Sequence, residues 1–149
     1  ASNRLEKVFS VNNSFIYKDF AHSPSKVNAT VNAVKNQFED HKIIACFELH
    51  TFSSLNSDFI NEYKNTLNNA DMAIVYFSKT TLESKKIKNI DLKDIVKAFN
   101  NTNLLVFNDS LKLKDYLYTI DYKKSVLLMM SSGNFGNINF NDLQKLLLR

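Results

Sequence analysis

Glycine occurs twice in these 149 residues, proline once, cysteine once and tryptophan not at all. So little glycine and proline excludes collagen-like, linker-like and low-complexity chains. A lone cysteine excludes an internal disulfide, and with three histidines at no close spacing it gives no metal-ligand pattern. Cys46 sits in the run Ile43-Ile44-Ala45-Cys46-Phe47, where a thiol acts as a small hydrophobe. No apolar run approaches the ~18–20 residues of a membrane span. The first twenty residues also lack the charged-then-apolar layout of a secretory signal. The expectation is a cytoplasmic protein with no membrane partner. Arginine is scarce too: seventeen of the nineteen basic residues are lysine. Twenty asparagines accompany them, which points to A/T-rich codon usage rather than selection for charge. The net charge of +4 is dispersed, with only Lys85, Lys86 and Lys88 bunched. Without a basic stripe interleaved with aromatics, no nucleic-acid partner is expected.

What the chain does contain is a regular alternation. Apolar runs rich in β-branched and aromatic residues recur at Phe15–Phe20, Ile43–Phe47, Ala73–Phe77, Leu104–Phe107 and Val126–Met130. The last four are nearly continuous, as strands covered on both faces should be. Between them lie helical stripes: Val27, Val31, Val34 and Phe38; Phe59, Ile60, Tyr63 and Leu67; Leu92, Ile95, Val96 and Phe99; Leu113, Tyr116, Leu117 and Ile120. Leu143, Leu146 and Leu147 form a closing helix. Ahead of these, Leu5–Val11 predicts an extra strand turning at Asn12-Asn13 into a hairpin. The whole chain, residues 1–149, reads as one Rossmann-like, doubly wound α/β domain. About six mostly parallel strands carry helices on both faces.

Ligands of such sheets bind where strand carboxyl ends lead into helices. Two of those ends hold the conformationally special residues. In Asp19-Phe20-Ala21-His22-Ser23-Pro24, Ser23 and Pro24 predict a helix start with Ser23 as its cap. Asp19 and His22 precede that helix; an aspartate there suits ribose hydroxyls, and His22 a phosphate or an acceptor. In Met130-Ser131-Ser132-Gly133-Asn134-Phe135-Gly136, the glycines allow positive φ and close backbone approach. A plain turn into the last helix is the bland alternative. Neither segment is a Walker loop or a complete GxGxxG. The stretch Glu48-Leu49-His50-Thr51-Phe52-Ser53-Ser54 puts a histidine beside hydroxyls, but no Gly-x-Ser-x-Gly elbow supports a triad.

Taken together, Asn3-Arg4-Leu5-Glu6, Tyr17-Lys18-Asp19-Phe20-Ala21-His22-Ser23-Pro24 and Ser131–Gly136 resemble the C-terminal domain of the Mur ligases, the ATP-dependent enzymes of peptidoglycan synthesis. Within that family the pattern is most similar to the branch of murein peptide ligases. These join UDP-N-acetylmuramate to L-alanyl-γ-D-glutamyl-meso-diaminopimelate. The resemblance implies that Arg4 reaches ATP phosphates and that Asp19 holds the ribose. It places His22, His50 and the loop residues Ser131, Ser132, Gly133 and Asn134 on the acceptor side. No covalent catalytic residue is implied. ATP and Mg would be bound mainly by a central domain, absent from this chain like the sugar-nucleotide domain, so the fragment alone should not turn over. Some positions depart from the pattern. Lys18 and Ser23 replace a second aspartate and a second histidine, and His50 stands where the peptide branch typically has arginine. Thr51 and Ser54 replace the arginines of the alanine-adding branch, which leaves that branch, or a free-standing anion-binding module, as alternatives.

Overall fold

The computed structural model describes residues 5–50, 56, 58–80 and 91–148. Arg4, Thr51–Ser54 and the Lys85–Asn89 stretch therefore lie outside the described residues.

Six strands run β1 (Glu6–Val11), β2 (Ser14–Asp19), β3 (Lys42–Glu48), β4 (Met72–Tyr76), β5 (Leu105–Phe107) and β6 (Ser125–Met130). They form one sheet in the order β1-β2-β6-β3-β4-β5. Among the described residues only the β1–β2 hairpin is antiparallel. Its turn needs two left-handed residues, and Asn12 (φ 48°) and Asn13 (φ 67°) supply them, as asparagine does most readily after glycine. β6, the last strand in sequence, fills the centre between β2 and β3.

Side-chain alternation sorts the core into two layers. Ile43, Ala45, Phe47, Val126, Leu128 and Met130 face one side, where the helix α1 (Pro24–Gln37) packs Val27, Val31 and Val34 against them. The helix α2 (Leu92–Phe99) adds Ile95, Ala98 and Phe99 on the same side. Ile44, Cys46, Leu127 and Met129 face the other side. There α3 (Ser110–Leu117) and α4 (Phe140–Leu147) bring Leu113, Leu117, Leu143 and Leu146. Each fully buried aliphatic side chain contributes about 1.5–3 kcal/mol. The helices α2, α3 and α4 start on aspartate or asparagine caps: Asp91 accepts from the Lys93 N–H, Asp109 from Leu111 and Lys112, and Asn139 from Asn141.

Two local expectations are corrected. Ser23 occupies the N-cap position of α1, but its side chain makes no capping bond. Pro24 at the first helical position, with its fixed φ and no N–H to satisfy, provides the start instead. The stripe Phe59, Ile60, Tyr63 and Leu67 forms only a short 3-10 helix, Phe59–Tyr63. Its polar neighbours compete for the backbone. The Thr66 hydroxyl donates to the Tyr63 carbonyl at 2.8 Å, and Asn65 turns left-handed at φ 66°. The Asn65 side-chain oxygen then accepts from the amides of Asn68 and Asn100 at 2.9 Å each. Ile60, Tyr63 and Leu67 still reach the core.

The thiol of Cys46 is fully buried, and burial pushes its pKa well above the ordinary range, with the nearby Glu48 charge adding to the shift. A protonated, enclosed thiol is a poor nucleophile. Reaction with a disulfide reagent in native buffer is expected to be negligible over an hour and to become fast in denaturant. Rapid native labelling would contradict this burial.

Candidate functional site

Adjacent strands that leave the sheet toward opposite faces open a crevice at their carboxyl ends. After β2 and β3 the chain turns to the α1–α2 side, whereas after β6 it turns to the α3–α4 side. The loop 131–136 therefore rises alone between its neighbours and separates two clefts. The first, of about 270 Å³, is lined by Lys18, Asp19, Phe20, Ser131, Gly133 and Phe140, among others. The second, of about 440 Å³, lies beyond β3 and β4 and includes Glu48, His50, Tyr76, Lys79, Asp109 and Asn134.

The loop is held by a side chain that the sequence patterns had not singled out. Pairing of Phe47 with Met130 puts the next residues, Glu48 and Ser131, on one face of neighbouring strands. Glu48 is 1% exposed, and its Oε1 accepts from the Ser131 hydroxyl at 2.6 Å and the Phe135 N–H at 2.8 Å. The Gly133 N–H donates to the Ser131 Oγ at 2.7 Å, and the Ser131 N–H to the Asp19 carbonyl at 3.0 Å. Phe135, at φ 52° and 1% exposed, drops into the core beside Tyr76. Burial pushes the pKa of the Tyr76 hydroxyl up, and the charges of Glu48 and Asp109 push it further. Hydrogen bonds with Ser78 and Ser110 partly offset that shift.

The two glycines serve different ends. Gly136 supplies a positive φ of 65°. Gly133 supplies space, since a Cβ there would lie 2.7 Å from both Cγ and Nδ1 of His50. Gly133→Ala is expected to push the His50 ring aside while costing at most about 1–3 kcal/mol, the usual range for overpacking. Shifted imidazole resonances of His50 in an otherwise native NMR spectrum would report it; an unmoved His50 would refute the contact.

The predicted residues divide between these places. Asp19 is half-buried, and its Oδ2 accepts from the Ala21 N–H at 2.9 Å and the Thr30 hydroxyl at 3.2 Å. Among the described residues none donates to its Oδ1. Gly133 and Asn134 line the first cleft, Asn134 borders both, and His50 lines the second. His22 lines neither. Its Nδ1 lies 3.1 Å from the Phe20 carbonyl, its ring meets Phe20 edge-on, and Tyr63 donates to its carbonyl. The Ser131 hydroxyl and the N–H groups of Gly133 and Phe135 are turned inward onto the protein. The Ser132 hydroxyl is buried without a partner among the described residues. The Asn134 side chain is tied to Asn137, donating to its side-chain oxygen at 2.7 Å and accepting from its N–H at 3.2 Å.

A sheet of this order, with its glycine-bearing loop standing between two carboxyl-end clefts, defines a doubly wound α/β domain. The family model described as "Mur ligase, glutamate ligase domain" matches residues 3–133, and the chain belongs to that family. A UDP-N-acetylmuramate–L-alanine ligase of Ligilactobacillus salivarius is 31% identical over 122 residues, which is 80% of this chain and 25% of that protein. The crystal structure of a murein peptide ligase from Psychrobacter arcticus shares the fold at a TM-score of 0.74 and 20% identity. It is matched over 97% of this chain and 30% of its own. A UDP-N-acetylmuramate–alanine ligase from Thermotoga maritima does so at a TM-score of 0.63 and 19% identity, over 91% and 27% respectively. The chain thus spans about a quarter to a third of these relatives. No described helix is long and apolar enough to cross a membrane.

Proposed function

We propose that residues 1–149 are the C-terminal domain of an ATP-dependent, ADP-forming amide ligase. It would act in the cytoplasm on UDP-N-acetylmuramate and close over a central domain that holds most of the ATP and Mg. The observation that carries this reading, beside family membership, is the pair of clefts on either side of the loop 131–136. Asp19 offers in the first a carboxylate oxygen to which no described residue donates, a fitting acceptor for ribose hydroxyls. Arg4 would bring a permanent cation to the phosphates from the domain junction. The chemistry needs no covalent nucleophile here. ATP activates the muramate carboxylate as an acyl phosphate, the acceptor amine displaces phosphate, and this domain positions the acceptor and excludes water on closure.

For the acceptor we infer the preformed L-alanyl-γ-D-glutamyl-diamino-acid peptide. The second cleft is lined by many modest polar groups, and the sequence has Thr51 and Ser54 where the alanine-adding branch carries arginines. A peptide with several carboxylates can spread its charge over such donors, whereas free alanine depends on one guanidinium fork. The name of the Ligilactobacillus relative favours the second reading, L-alanine as acceptor. Comparing kcat/KM for the two acceptors in the full-length enzyme, with ADP release as readout, separates them. A preference for the peptide is expected; a preference for alanine would move the protein to the other branch. A free-standing nucleotide-binding module would instead show micromolar affinity for ATP in calorimetry on this chain alone. The fragment reading expects millimolar binding or none.

A further inference from the structure

Glu48 carries a second oxygen whose task the loop does not explain. Oε1 already satisfies Ser131 and Phe135, while Oε2 receives no hydrogen bond from the described residues. It lies 3.8 Å from the Nδ1 of His50, and that nitrogen is itself buried without a partner among the described residues. A buried carboxylate oxygen short of donors and a buried ring nitrogen short of a partner thus face each other, about 0.6 Å beyond hydrogen-bond range. Gly133 leaves the space that the Cγ, Nδ1 and Cδ2 of the same ring occupy, since a Cβ there would meet all three, yet the His50 side chain is 35% exposed. With Nδ1 buried and the ring lining the second cleft, we place its exposed edge, which carries Nε2, toward that cleft.

We propose that Glu48 is a positioning residue for His50. Its carboxylate holds the proton on Nδ1, so that Nε2 turns a bare lone pair to the cleft and accepts an N–H of the acceptor's amino group. A carboxylate behind an imidazole fixes both tautomer and ring orientation in this way. Among the described residues Glu48 and Asp109 bring carboxylates to this cleft, which suit the amino end of the acceptor, while Lys79 and the hydroxyl and amide groups beside it suit its carboxylates. The identity of the ligand rests on the acceptor reading above; the Glu48–His50 pair does not.

The test uses ¹⁵N-histidine-labelled chain at about pH 9, well above the titration of a free imidazole. The three histidines are assigned through single His→Gln variants. Long-range ¹⁵N–¹H spectra are expected to show His50 protonated at Nδ1 and bare at Nε2. In Glu48→Gln the side-chain oxygen can still accept from Ser131 and Phe135, while the amide NH2 replaces Oε2 as a donor. The proton of His50 should then move to Nε2. Wild-type His50 protonated at Nε2 overturns the inference even if the variant fails to fold, and so does a tautomer unchanged by Glu48→Gln. In the full-length ligase the same variant is expected to raise the acceptor KM about tenfold, leaving the KM for ATP unmoved. A tautomer switch with no change in acceptor KM would overturn the role of Nε2 toward the acceptor, and with it the acceptor reading of this cleft. The pair itself would still stand.

Discussion

Phe135→Ala is expected to destabilise the domain by about 3–5 kcal/mol, the usual cost of emptying a buried phenylalanine site. For a chain of this length that is a fall in Tm of roughly 6–20 °C. The residue is 1% exposed and packs with its ring centroid 6.2 Å from that of Tyr76, so its removal would leave a cavity beside the Tyr76 ring. The backbone at φ 52° is equally unfavourable for phenylalanine and alanine, so the difference between them reports the side chain alone. Phe135→Leu, which keeps most of the volume, should lose less than about 1.5 kcal/mol. Urea unfolding of the three proteins measures this. A loss below about 1 kcal/mol for the alanine variant would mean that the loop 131–136 is not pinned by its aromatic anchor.

In the full-length ligase, Asp19→Asn is expected to lower kcat/KM for ATP by about ten- to a hundredfold. Hydrogen bonds to an ionised group contribute about 1.5–3 kcal/mol, and the amide forfeits that charge assistance. The fold should hardly notice, because the amide oxygen can still accept from the Ala21 N–H and the Thr30 hydroxyl. Asp19→Ala removes those bonds too, and should add a stability loss of about 1–3 kcal/mol to the kinetic defect. Steady-state kinetics with thermal unfolding separates the two contributions. Asp19→Asn with an unchanged kcat/KM for ATP would remove the ribose role.

Much of the architecture was legible because burial imposes periodicity. The apolar runs marked all five parallel strands to within a residue or two, and Asn12-Asn13 marked the hairpin, since few other pairs tolerate two left-handed residues. Phe59–Leu67 misled because its apolar spacing is helical, while its asparagine and threonine side chains bond the backbone more locally. In the site, the glycines drew attention to the loop, but not to what holds it. Glu48 follows five apolar residues and looks like the first polar position of a loop. Only the register of β3 against β6 shows that it points inward beside Ser131. The inward turn of Ser131 was hidden for the same reason: pairing between residues 83 apart in sequence is not encoded in either local pattern. A sharper reading would have asked why an acidic residue stands two places after Cys46, on the same buried face.

The placement of β6 bears on how the chain comes to be folded. The strand that completes the middle of the sheet is synthesised last, and its partners in β2 and β3 lie about a hundred residues upstream. Until residue 130 has left the ribosome, β2 and β3 have no neighbour between them, and their backbone groups and apolar faces stay open to other chains. High contact order of this kind slows folding and exposes the nascent protein to aggregation. Emergence of β6, rather than any early local helix, sets the moment at which this sheet can close.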